Sequence, residues 1–213
     1  MTRLLSSLAL MSVAFGQTPS ALEVHNVTAK SVTYKGKTAV RIEGVGAAAA
    51  PDGSQFAVVR GSEFQDGVIE VDLSGDTHPG SDPTFRGFVG IAFRMAPDLS
   101  NYECLYLRPL NGRSNDQLQR NHSVQYISAP DFPWQLLREK TPSKYESYVD
   151  LAPGEWTKVR IEVKGQTAKL FVGGAEQPIL IVGDLKHGVS HGSIALWIGP
   201  GTVAHFANLR VTP

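Results

Sequence analysis

Tyr102-Glu103-Cys104-Leu105-Tyr106-Leu107-Arg108 alternates polar-tipped side chains with leucines. Alternate residues of a strand share a face. Tyr102, Cys104, Tyr106 and Arg108 should therefore project to one side and Leu105 and Leu107 to the other. Phe88 to Arg94 repeats the arrangement, with Val89, Ile91 and Phe93 together and Arg94 opposite them. Tyrosines and arginines on one open sheet face suit a sugar. The ring covers the apolar C–H face, and the planar guanidinium donates paired hydrogen bonds to hydroxyls or carboxylates. The candidate binding residues are Arg94, Tyr106, Arg108, Gln125 and Trp197 on this face, with His122 and Trp134 at its rim. Strict alternation groups Gln125 with Ser123 and Ile127, opposite His122, Val124 and Tyr126, so its side stays open at this level. An ordinary wet sheet face covered by arginine stems has the same pattern.

Other residue groupings could support other chemistry. Glu70-Val71-Asp72 sets two carboxylates on one side of a strand. Glycosidic hydrolysis uses two carboxyls roughly 5–10 Å apart, which makes Glu70, Asp72, Glu103 and Glu146 the candidate catalytic acids. The solvated face of an amphipathic strand reads the same way. Gly188-Val189-Ser190-His191-Gly192 matches the serine-nucleophile pattern. That chemistry requires a strained turn leading into a helix, whereas strand-like Ser193 to Ile198 follows here. His187 and His191 stand four apart, a metal spacing only on a helix, and glycines flank them. No metal centre is predicted, although Asp76, Asp82, Asn115 and Asp116 could supply oxygen ligands to a structural calcium. Asn26-Val27-Thr28 and Asn121-His122-Ser123 fit the N-glycosylation pattern.

The elements that must carry these residues are strands. Gly67 to Leu73 sets Ile69, Val71 and Leu73 against Glu70 and Asp72, and Trp156 to Val163 sets Val159, Ile161 and Val163 against Lys158, Arg160 and Glu162. Period-two runs of this length, broken by Gly, Pro and Asp, number about a dozen. Only Pro133 to Glu139 reads as a short helix. No stretch supplies the crossover helix that parallel strands need, so the fold is all-β and antiparallel, either two packed layers or a barrel. Ser74 to Phe85, Pro109 to Asn121 and Ser128 to Lys144 are long connections around the candidate face, and loops of that length are commonly functional. Gly46 to Ala50 reads as a loop.

The chain has 213 residues, 20 basic and 20 acidic. Zero net charge argues against a nucleic-acid partner held through phosphates. Apolar residues at 42% and charged residues at 19% suffice for a packed core. The single cysteine, Cys104, forbids an intrachain disulfide. Met1 to Gly16 has a basic start, an apolar run from Leu4 to Phe15 and a small-x-small end at Ala14-Phe15-Gly16, with Ser12-Val13-Ala14 as a second cleavage option. This is a signal-peptide pattern. The organisation expected is a leader over 1–16 and one domain over 17–213. The mature protein should be secreted or periplasmic, with no membrane attachment after leader removal.

Three stretches carry a likeness: Phe64 to Val71, Pro153 to Gly165, and Gly192 to Trp197 with Phe206 to Val211. In order and spacing they resemble the concanavalin A-like lectin/glucanase superfamily, nearest to laminin-G-like bacterial modules and 3-keto-disaccharide hydrolase-like domains. The likeness spans roughly Gln55 to Pro213. It implies a two-sheet antiparallel jelly-roll sandwich, with glycans bound on the concave sheet in many members and glycosidase activity in some. The laminarinase motif E-x-D-x-x-E is broken here, since Leu73, Ser74 and Gly75 follow Asp72. No catalytic pair is implied. The Tyr102 to Pro109 block lies outside the superfamily signature and rests on its own chemistry. The expected function is an exported module that binds or acts on carbohydrate. The alternatives are a glycoside hydrolase with paired carboxylates and a non-catalytic adhesion or structural module.

Overall fold

Residues 13–14, 18–45 and 53–213 are described from a computed structural model. The leader expectation over 1–16, apart from Val13–Ala14, and the loop expectation over 46–50 lie outside the described residues. Strands are numbered in chain order. One sheet runs β13 (Leu180–Val182), β12 (Thr167–Val172), β11 (Thr157–Lys164), β6 (Gly67–Thr77), β15 (Thr202–Thr212), β4 (Lys37–Gly44), β3 (Val27–Tyr34). The two-residue β1 (Val13–Ala14) pairs with the far end of β15, opposite Val211 and Arg210. The second sheet runs β10 (Glu146–Ser147), β9 (Val124–Ala129), β8 (Tyr102–Leu107), β7 (Val89–Met95), β14 (Ser193–Ile198), β5 (Phe56–Val59), β2 (Leu22–His25). Every pairing is antiparallel. Of the two expected architectures the chain adopts the layered one.

Alternation in sequence becomes inside and outside in the sandwich. Ile161 pairs with Ile69 and Val159 with Val71, all four buried between the sheets. The intervening pairs, Arg160 with Glu70 and Lys158 with Asp72, are opposite charges on the outer face, where cross-strand pairing of that kind is favourable. The second sheet contributes Val89, Ile91, Phe93, Leu105, Leu107, Val124 and Tyr126 to the same core. Each fully buried aliphatic of this size favours folding by about 1.5–3 kcal/mol. The β3–β4 turn is Lys35-Gly36, with φ of 41° and 79°. Positive φ at both central residues is the hairpin turn whose twist matches the strands.

The second sheet is apolar on both faces. Phe56, Val58, Ala92, Met95, Tyr102, Cys104, Tyr106, Ala195 and Trp197 form a separate buried cluster on its outer side. The expected short helix forms as α2 (Trp134–Lys140) and partly covers this face. A further single turn, α1 (Gln117–Asn121), was not legible as periodicity. It is nucleated by Asp116, whose carboxylate accepts from the Leu118 amide at 2.8 Å.

One irregularity alters the placement of a candidate residue. Along β14, Ala195 pairs with Ala92 and Ser193 with Met95, so three steps of β7 oppose two of β14. The additional residue is a β-bulge, and Arg94 within it has φ 53°. Phe93 still faces the core and Met95 the outer cluster, so Arg94 is removed from the alternation that sequence reading assigned to it.

Candidate functional site

Three cavities of about 330, 280 and 220 Å³ adjoin along the outer side of the second sheet. Trp134 lines all three; Tyr106 and Trp197 line the first and third, and Phe88 the second and third. Together they make one groove with Trp134 at its junction. The floor depends on a missing side chain. Gly90 of β7 pairs with Tyr106 on one side and Trp197 on the other. Across this gap the two rings approach to 4.8 Å between centroids. A Cβ at Gly90 would meet the Leu105 carbonyl oxygen at 2.4 Å and Tyr106 Cβ at 2.5 Å. The Trp197 indole N–H donates to the Tyr102 hydroxyl at 3.2 Å. The floor is therefore rigid and deep, and the more accessible aromatic surface comes from half-buried Trp134, Phe88, Phe85 and Phe132 on the walls.

The 280 Å³ cavity is the basic end, with Arg86, Arg108 and Arg138 in its walls. Arg108 is 4% exposed. Its Nη1 donates to the His122 carbonyl at 3.1 Å and to Glu146 at 3.4 Å; its Nη2 donates to the Tyr106 hydroxyl at 2.9 Å and to Gln125 Oε1 at 3.2 Å. The guanidinium carbon lies 5.3 Å from the Tyr106 ring centre, 5.5 Å from Trp134 and 6.0 Å from Phe88, an aromatic box for a cation. Arg138 reaches Glu146 with Nε and Nη2 and lies 4.6 Å from the Trp134 ring centre. His122 Nε2 is 3.5 Å from Glu146. Burial pushes the His122 pKa down and the arginines Arg138 and Arg108 add to this, against the opposing pull of Glu146.

The structure brings Tyr106, Arg108, Gln125, Trp134 and Trp197 together, with His122 at the basic end. Gln125 lies with Arg108 because β9 begins at Val124, facing the core. His122 precedes the strand, at the end of α1, and reaches the same cavity through the turn. Arg94 is a correction. It lines none of the three cavities. Its side chain is fully buried and donates to the carbonyls of Gln65, Gly188 and Gly165 and to Asp66. Gln65 and Asp66 lead into β6, Gly165 lies in the β11–β12 turn and Gly188 in the connection from β13 to β14, so Arg94 ties the two sheets together; the bulge turns it there. Sequence reading missed Phe88, Arg86, Asn111 and Arg138. Arg138 had a signal, since it stands four residues after Trp134 in the expected helix and so shares its face.

The four candidate acids do not meet in the groove. Glu70 and Asp72 share a shallow depression on the outer face of the other sheet. Asp72 accepts from Lys37 and Asn208, each at 2.7 Å. Its burial works to raise its pKa, but these bonds and the Lys37 charge hold it below the usual range, the reverse of what a general acid needs. Glu103 is buried between the sheets, accepting from the Tyr126 hydroxyl at 2.6 Å and the His187 amide at 2.9 Å. Glu146 stands behind the arginines. Among the described residues no Asp or Glu lines the groove. Likewise, no group of three or more His, Cys, Asp or Glu side chains is placed to hold a metal ion. Asp82 and Asp116 accept from their own turns, at Thr84 and Leu118.

Several solved structures share this architecture. The carbohydrate-binding module CBM66 from Bacillus subtilis superposes with a TM-score of 0.61 at 14% identity, covering 92% of this chain and 99% of its own. The chain shares with it the two-sheet antiparallel sandwich fold. A Bacillus subtilis protein with a galectin-like fold gives 0.53 at 14% identity, over 91% of this chain and 90% of that one. A prokaryotic β-1,3-1,4-glucanase (lichenase) derived from a mouse hindgut metagenome gives 0.52 at 14% identity, over 95% and 97%. No protein-family profile and no curated protein sequence matches the chain. At these identities the shared property is the fold. On this sandwich frame the aromatic groove occupies the outer face of one sheet, and any function must be argued from that site.

Proposed function

We propose that this protein binds a glycan in the groove on the outer face of its second sheet, and that it does so without cleaving it. The observation that carries the reading is Trp134, half-buried and common to all three cavities, above a floor of Tyr106 and Trp197. Aromatic walls with polar groups placed between them are how a pocket takes a ligand with one apolar and one hydroxylated face. CBM66, named as a carbohydrate-binding module, lends the same frame. Binding is favoured over hydrolysis because the described groove walls carry no carboxyl pair, and Glu146 behind them is neutralised by two guanidiniums.

The test is a glycan array followed by titration calorimetry on a bound oligosaccharide. Trp134→Ala should weaken binding by about tenfold or more, the scale of removing a central aromatic anchor, while the melting temperature changes little. A folded wild-type protein that binds no glycan, or a Trp134→Ala variant that binds as wild type, would refute the reading. We also propose that residues 1–16 are an export leader. Its removal would take away the β1 pairing and leave two seven-stranded sheets. Among the described residues no helix is long and apolar enough to cross a membrane. Secretion followed by N-terminal sequencing should read Gln17 first.

A further inference from the structure

The basic end of the groove has more cation than the protein itself neutralises. Glu146, with its side chain 4% exposed, is the carboxylate that contacts Arg108, and it is shared with Arg138 and with His122. One carboxylate thus serves two guanidiniums, and the third, Arg86, hydrogen-bonds the backbone carbonyls of Pro83 and Phe85 through Nη1, with the exposed Asp82 carboxylate feeling its charge but making no hydrogen bond to it. Among the described residues no acceptor reaches Arg138 Nη1 or Arg86 Nη2. Both arginines line the 280 Å³ cavity. Asn111, 4% exposed, lines it too. Its Nδ2 donates to the His122 carbonyl at 3.1 Å, while its buried Oδ1 has no partner among the described residues. Buried polar atoms in native proteins are nearly always paired, and this unpaired acceptor belongs to a residue lining the same cavity as the two arginines. Unused guanidinium donors ask for an anion, and the orphan amide oxygen for a hydroxyl.

We propose that this end of the groove seats the anionic group of an acidic sugar, with a ring hydroxyl donating toward Asn111. Arg86 and Arg138, which line the same cavity, grip the anion, and Trp134, beside Arg138, packs on the ring that carries it. The inference rests on the glycan reading above and narrows it to a ligand class. A uronate carboxylate and a sulfate ester share the chemistry, since both offer the oxygen pair that a guanidinium fork accepts.

The test uses an array holding uronic-acid, sulfated and matched neutral oligosaccharides, then calorimetry of the best uronate against its methyl ester. The acid should bind at least about tenfold tighter than the ester, as expected for a hydrogen bond to a charged partner, and added salt should shrink the difference. Arg86→Gln and Arg138→Gln should each lower the affinity for the acid by a larger factor than the affinity for the ester, and Arg138→Gln should also lower the melting temperature, because Glu146 then keeps Arg108 as its guanidinium partner. Arg86→Gln is the cleaner variant, because the Arg86 hydrogen bonds go to backbone carbonyls and the one carboxylate whose pKa its charge lowers, Asp82, is exposed. Binders that are all sulfated would support the anion site and assign sulfate as its group. Equal affinity for acid and ester would overturn this inference and leave the glycan reading standing. Binding to no glycan class by a folded protein would overturn both.

Discussion

Replacing Arg94 by methionine keeps most of the side-chain volume and removes the guanidinium that joins the two sheets. Four hydrogen bonds are lost: to the carbonyls of Gln65, Gly188 and Gly165 at 2.8 Å each, and to Asp66 Oδ1 at 2.9 Å. A bond to a charged donor contributes about 1.5–3 kcal/mol, but a simple sum overshoots. The Asp66 side chain is 45% exposed and regains water, and the carbonyls are partly hydrated at the sandwich end. Counting only the three carbonyl bonds, at about 1–1.5 kcal/mol each, gives roughly 3–5 kcal/mol. For a chain of this size each kcal/mol moves the melting temperature by about 2–4 °C, so the expected fall is roughly 6–20 °C. Circular dichroism melts of wild type, Arg94→Met and Arg94→Lys measure it, with lysine intermediate because one ammonium cannot reach all four acceptors. A fall below about 2 °C would show that the clasp is not what holds this edge. Glycan affinity of the folded Arg94→Lys variant should equal that of wild type, and a loss there would return Arg94 to the groove and refute its assignment as a sheet-to-sheet tie.

Three further outcomes concern His205, Gly90 and Cys104. Burial, aided by the Arg41 charge and opposed by Glu43, holds the His205 pKa at about 4, where the ring stacks 3.6 Å from Tyr34 and faces Trp156 edge-on. The free side chain titrates near 6.5, so the unfolded chain takes up the proton first. The contribution is complete above about pH 6.5 and is lost as pH falls toward 4. The urea midpoint of wild type should fall relative to that of His205→Gln across this window, and parallel midpoints would refute the assignment. Gly90→Ala forces a Cβ against the Leu105 carbonyl and Tyr106; it should cost about 1–3 kcal/mol as overpacking does and weaken glycan binding with it, and an unchanged melt would contradict the close approach. Cys104 is fully buried, and desolvation followed by the Glu103 charge pushes its thiol well above the usual range. It should ignore a disulfide reagent in the native protein and react on denaturation, and rapid native labelling would show the floor of the groove to be open.

The sequence determined the strands and which of their sides is apolar, because period-two alternation is a local property that burial against any second layer will satisfy. Leu105 and Leu107 face inward and Tyr102, Cys104 and Tyr106 outward, as the alternation alone requires. The short helix that begins at Trp134 was legible as a run that breaks that alternation. What only the tertiary structure decided is where alternation stops. A bulge costs one residue and leaves no mark in composition, yet it moved Arg94 from the groove side to the seam between sheets. His122 and Gln125 fall on one side because the chain is still turning at one and extended at the other. The convergence of Arg86, Arg108 and Arg138 on one cavity joins a loop, a strand end and a helix. Residues that far apart in sequence meet only through the packing of the sheet beneath them, and no local spacing can encode that distance.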